Sequence, residues 1–132
     1  PEEYVTKNLP AHFILFKPRD IVSGDFYWAK VVNDTLVYCV ADCTGHGVPG
    51  AFMSMVCCEK LNDTILETTD TGKLLQRVNR SIKTSLHQSG QNQATRDGMD
   101  IALCAVHTRS RTLHYSAANR PLWIIRKNNP VP

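Results

Sequence analysis

Apolar and polar positions fall into short runs that predict strands at both ends of the chain and helices between them. Residues 12–16 (HFILF) are an apolar run stopped by Pro18 and predict a first strand. Residues 25–32 are rich in aromatic and β-branched side chains and predict a second. Asn33-Asp34 reads as a turn, and residues 35–41 (TLVYCVA) predict a third strand. That third run is apolar on both faces, Leu36/Tyr38/Val40 and Val37/Cys39/Ala41, the pattern of a central strand covered on both sides. The connection between the second and third runs is too short for a crossover, so an antiparallel meander is expected.

A Gly-rich loop follows, Asp42 to Gly50, and then two helical patterns over 51–68 and 73–88, separated by Gly72. In the second, Leu74, Leu75, Val78, Ile82 and Leu86 form one stripe. Lys73, Arg77, Arg80 and Lys83 form another, which reads as a solvated face or, more sharply, as a patch for an acidic or phosphorylated partner. Residues 89–95 are polar and read as a mobile loop. Strands are predicted again over 100–107, 112–117 and 122–126. The order βββ–αα–βββ indicates an α+β layered domain with a helical hairpin on one face of an antiparallel sheet.

Composition narrows the picture. At 132 residues, 42% hydrophobic and 20% charged, the chain has the size of one domain and the apolar content for a core. A net charge of +3 is too small to suggest a nucleic-acid binder. The charge is uneven, however. Residues 1–100 carry ten Lys and Arg and all twelve Asp and Glu, whereas residues 101–132 carry five Lys and Arg and no acid. Five cysteines, in apolar runs for the most part, point to free thiols and a cytoplasmic setting. No run approaches the ~20 apolar residues that cross a bilayer. A chain that opens on Pro1 and closes on a loop-like Asn-Pro-Val-Pro segment suggests an excised piece.

Gly45-His46-Gly47-Val48-Pro49-Gly50 matches G-x-G-x-x-G between a strand and a helix. The next element is a second helix rather than a parallel strand, and Asp42 would repel a pyrophosphate, so a dinucleotide site is disfavoured. The carboxylates carry more. A hairpin centred on Asn33-Asp34 places Asp25 opposite Asp42 at one sheet edge. Two facing carboxylates repel unless a hard cation lies between them, which suits Mg²⁺ or Mn²⁺. The plainer alternative makes Asp25 a turn residue and Asp42 a helix cap. A zinc or thiol site from Cys39, Cys43 and His46, and a Cys43–His46 nucleophilic pair, are weaker alternatives, since no paired C-x-x-C pattern or orienting third group accompanies them.

Residues 16–28 (FKPRDIVSGDFYW) resemble the first signature of the bacterial SpoIIE/RsbU-type serine phosphatases, within the metal-dependent PPM (PP2C-like) superfamily. Residues 41–54 (ADCTGHGVPGAFMS) resemble their second motif. Residues 96–103 (RDGMDIAL) and 115–122 (YSAANRPL) resemble later strand motifs. The resemblance runs in order over nearly the whole chain. It implies a PP2C-like layered α/β/β/α sandwich of antiparallel sheets, here the N-terminal portion of the domain over residues 1–132.

It also implies a metal-dependent protein serine/threonine phosphatase with two Mn²⁺ or Mg²⁺ ions. The substrate class is a phosphoserine or phosphothreonine on a regulatory protein of the anti-anti-sigma-factor type, with an N-terminal sensor or regulatory domain in the full-length protein. By position, Asp25 and Asp42 carry over as metal ligands, and Cys43 contributes its backbone carbonyl. His46, Asp97 and Asp100 are supporting residues beside the ligands. The family's later aspartate motifs have no counterpart, because no Asp or Glu follows Asp100. The domain is therefore expected to be incomplete at its C-terminus, weakly active or inactive alone, and prone to dimerise or exchange strands. The alternative function is a non-catalytic PP2C-like interaction module.

Overall fold

The computed structural model describes residues 2–9, 11–86 and 97–126. Seven elements follow one another: α1 Glu2–Asn8, β1 Asp25–Val32, β2 Thr35–Cys43, α2 Gly47–Thr64, α3 Thr71–Ser85, β3 Met99–His107 and β4 Thr112–Ala118. The strands form one antiparallel sheet in the order β1-β2-β3-β4. The α2–α3 hairpin interrupts this meander between β2 and β3 yet leaves them neighbours. The fold is α+β, as the patterning predicts.

Local chemistry sets the turns. Asn33 takes φ 54° in the two-residue β1–β2 connection, a conformation Asn tolerates better than most side chains. Asp70 caps α3, its carboxylate accepting from the Lys73 amide at 2.9 Å. Pro49 lies in the first turn of α2, where its missing N–H costs nothing.

One face of the sheet is buried by the hairpin. Val37, Cys39 and Ala41 of β2 and Ile101, Leu103 and Ala105 of β3 meet Met53, Cys57 and Leu61 of α2 and Leu74, Val78 and Ile82 of α3. The helical residues recur every four positions, which makes each stripe one face. Leu61, Leu74, Val78 and Leu103 have no exposed surface, and burying each such side chain stabilises by about 2 kcal/mol. Polar ties fix the layers. Trp28 donates to Asn62 at 3.0 Å, and Thr71 and Ser116 share a 2.8 Å hydroxyl contact.

Three expectations are corrected. Residues 12–16 form no strand; they lie along the sheet with Phe13 90% exposed, and Phe16 meets Tyr27 edge-on. Pro10 and Pro18 bracket this run and restrict the residues before them. Residues 122–126 form no strand either, with Ile125 93% exposed. Among the described residues, their β-branched composition has no ladder to join. Finally, β2 is not covered equally on both faces: Leu36 is buried, but Val40 is 57% exposed. That face bounds a groove of about 650 Å³, lined by Val5, Leu9, Tyr27, Tyr38 and Val40 among others.

The helix boundaries also shift: the break falls at residues 65–70, and Gly72 lies inside the first turn of α3. Lys73, Arg77, Arg80 and Lys83 are exposed on α3, with Arg77 paired to Glu67. The polar segment 89–95 lies outside the described residues.

Candidate active site

The β1–β2 ladder places Asp25 directly opposite Asp42, as the hairpin arithmetic requires. The β2–β3 ladder then places Asp42 opposite Asp100. Directly opposed residues in antiparallel strands share a face, so three carboxylates stand abreast at one end of the sheet. They occupy the face turned away from the hairpin. Here the alternation along β2 changes from Tyr38 and Val40 to Asp42, an apolar surface ending in an acidic edge.

Asp25 and Asp42 touch. Burial pushes the Asp25 carboxyl above its ordinary value, the charge of Asp42 and a hydrogen bond with it push the same way, and Arg120 opposes them. Ser23 accepts from the Asp25 amide at 2.9 Å and steadies the turn before β1.

The loop after β2 is shaped by close backbone approach. A Cβ on Gly50 would lie 2.5 Å from the Gly45 carbonyl oxygen. One on Gly24 would lie 2.9 Å from that oxygen and 3.0 Å from the Cys43 carbonyl oxygen. These glycines bring three backbone segments together around Asp25 and Asp42, which accounts for the G-x-G-x-x-G pattern without a nucleotide. The Cys43 amide donates to Gly24 at 3.3 Å, and Thr44 bonds Gly98 in both directions, at 3.0 Å and 3.1 Å between backbone and hydroxyl groups.

A cleft of about 160 Å³ opens beside the acidic edge, lined by Arg19, Asp20, Ser23, Asp25, Asp42 and His46 among others. His46 is exposed at the start of α2, and its side chain makes no cap there. Asp97 is half-buried just ahead of β3, three residues before Asp100 and off the line of opposed carboxylates.

Cys43 turns the other way. Its thiol is buried on the hairpin side, where a hydrogen bond with Cys57 and then burial push it well above the usual thiol range. Cys39 lies on the same face and is 2% exposed. The zinc and nucleophile readings of Cys39, Cys43 and His46 are thereby overturned: the thiols are buried on the hairpin side while His46 faces solvent. Among the described residues, no three His, Cys, Asp or Glu side chains converge as a metal-holding group.

Two residues of the edge escaped the sequence reading. Asn119, at φ 58°, donates to Asp100 at 2.9 Å. Arg120 donates to Asp42 and lies 3.6 Å from Asp100. The signal was available: continuing the β3–β4 register past Ala102↔Ala117 sets Asn119 opposite Asp100 and Arg120 beside it. Tyr115 donates to the Arg120 carbonyl, which holds this segment against β4.

No helix among the described residues is long and apolar enough to cross a membrane. No curated protein matches the chain. The SiaA-PP2C domain of Pseudomonas aeruginosa superposes with a TM-score of 0.77 and 33% identity, over 89% of this chain and 47% of that one. A chain from a structure described as "The bacterial stressosome: a modular system that has been adapted to control secondary messenger signaling" superposes with a TM-score of 0.56. At 21% identity, over 75% of this chain and 45% of that one, it supports the fold alone. The chain thus spans less than half the length of either. The family model of Stage II sporulation protein E (SpoIIE) matches residues 33–131, and with the SiaA-PP2C likeness this establishes that the chain belongs to the SpoIIE family and has the fold of a PP2C domain.

Proposed function

We propose that the chain forms part of a metal-dependent protein serine/threonine phosphatase domain. The observation that carries this reading is the contact of Asp25 with Asp42 at the ends of two paired strands. The donor set is all oxygen and its charges repel, so it suits Mn²⁺ or Mg²⁺ in kind. It is incomplete in number. The Asp25 and Asp42 side chains and the Cys43 carbonyl would hold the cation, and the family resemblance implies two ions in the whole domain. Bound there, the metal supplies Lewis acidity for hydrolysis of a phosphomonoester by water.

The chain's own residues do the placing. Gly24 and Gly50 allow the loops to close on the carboxylates. His46 and Asp20 line the adjoining cleft, and Asp100 anchors Asn119. The chain carries no acid after Asp100, so residues 101–132 supply no further carboxylate ligand. The substrate class is phosphoserine or phosphothreonine on a regulatory protein of the anti-anti-sigma type, under the control of an N-terminal sensor or regulatory domain. Five free cysteines support a reducing, cytoplasmic setting.

A second reading, a non-catalytic PP2C-like module, draws support from Arg120, which neutralises Asp42. Hydrolysis of a phosphoserine peptide over a range of Mn²⁺ separates the two. A C-terminally extended chain is expected to turn over substrate and to lose at least about 100-fold on Asp42→Asn. Absence of Mn²⁺-dependent turnover in the extended chain would defeat the enzyme reading and favour the module.

A further inference from the structure

Arg120 occupies an unusual position for an arginine. It follows the last residue opposed to the acidic edge, and its guanidinium reaches back across the sheet to Asp42 while remaining 3.6 Å from Asp100. Its backbone is tied down on both sides. Tyr115 holds its carbonyl, Asn119 holds Asp100 at 2.9 Å, and Pro121 fixes the following residue. The side chain is still 44% exposed, so it can leave for solvent without disturbing that backbone.

We propose that Arg120 is a tethered counter-ion that competes with a divalent cation for Asp42. This rests on the reading of the acidic edge as the metal-holding part of a phosphatase. An arginine side chain is always charged and pairs well with carboxylates. One bound at Asp42 takes an oxygen that a cation would need and repels the cation as well. Loading of the edge then requires Arg120 to swing out. Metal affinity is set by how firmly this one side chain holds, and anything that draws Arg120 away tightens the metal. A half-exposed ion pair is weak enough for the exchange to be reversible. The position is a specific one: Arg120 pairs directly with Asp42 and acts on Asp25 only through its charge, so the competition is centred on Asp42.

Mn²⁺ binding, read from the electron paramagnetic resonance signal of free Mn²⁺, tests this on the C-terminally extended chain and on its Arg120→Gln, Arg120→Lys and Asp42→Asn variants. Arg120→Gln is expected to tighten Mn²⁺ about fivefold, Arg120→Lys to change it less, and Asp42→Asn to abolish it. If Arg120→Gln binds no more tightly while Asp42→Asn loses the metal, the competition is refuted and the metal reading stands. If Asp42→Asn binds as the unmodified chain does, or if neither the chain nor Arg120→Gln binds Mn²⁺, the metal reading fails and the competition fails with it. A measurement on the unmodified chain guards against a variant that does not fold. On titration with Mg²⁺, the Arg120 Nε–H resonance should move towards that of a solvated arginine. A resonance that stays in place while Mg²⁺ binds would overturn the proposal.

Discussion

Asp25 lies directly opposite Asp42 across the β1–β2 ladder, and the negative charge of Asp42 opposes ionisation of Asp25. Burial raises the Asp25 carboxyl above its ordinary value, and the facing charge of Asp42 adds to the rise. The fold therefore carries a local repulsion. Asp25→Asn replaces the charge with an amide that can donate to Asp42. Like charges set opposite one another cost up to about 1 kcal/mol, so the variant in EDTA should melt up to about 4 °C higher. In calorimetry, an unchanged or lower melting temperature would show that the pair is not under strain. The same variant should bind Mn²⁺ more weakly than the parent, a trade of function for stability.

Two glycines should respond in opposite directions to alanine. Gly50→Ala sets a methyl group 2.5 Å from the Gly45 carbonyl oxygen, a backbone atom with little room to yield. The loop beside Asp42 must shift, at a cost of roughly 2 kcal/mol and about 8 °C in Tm. Gly72→Ala meets only the Asp70 carboxylate at 3.5 Å and the Ser116 hydroxyl at 3.8 Å, which is ordinary contact. It lies within α3, where alanine is favoured, and should stabilise by about 0.5 kcal/mol. Thermal melts of the two variants side by side check both signs.

The cysteines should label with an unusual pH profile. Burial and then the neighbouring Cys57 push the half-buried Cys58 thiol up to about 11. The thiolate is the reactive form, so at pH 8 the folded chain holds far less of it than an unfolded one. Iodoacetamide labelling of Cys58 should rise about tenfold per pH unit from 8 to 10 in the native chain, and level off near pH 9 in denaturant. Mass spectrometry of the labelled peptide reads this. A plateau near pH 9 in the folded chain would contradict the shift. Cys39 and Cys57, buried behind the sheet, should resist until the chain unfolds.

The face of β2 that carries Val40 is an exposed apolar surface, continued by Leu113 of β4 and by Phe13 and Leu15 alongside. Surfaces of this kind favour association. Light scattering should show the chain self-associating at high concentration, and Val40→Lys should shift it towards monomer. A monomer at high concentration without the substitution would count against this expectation.

The strands over 25–32 and 35–43 were legible because their hairpin is closed by a two-residue turn, which leaves one register. The carboxylate pair followed from that register alone. The runs over 12–16 and 122–126 were misread for a common reason. Composition reports how well a side chain suits a pleated surface, but a strand also needs a partner for its backbone, and these runs have none among the described residues. Residues 35–41 look two-sided for the same reason: the sequence shows which faces are apolar and cannot show which of them is covered.

The sequence by itself determined the alternation that sets Val37, Cys39 and Ala41 on one face, the apolar stripe of α3, and the meeting of Asp25 with Asp42. These are local or one-turn relations, settled by periodicity and loop length. Tertiary structure decided what surrounds the pair. Arg120 reaches Asp42 only because β3 and β4 assemble on β2 after a helical hairpin has been inserted. Arg120 and Asp42 are 78 residues apart in the chain. The charge that faces an acidic group is set by the packing of strands, and no window along the chain contains it.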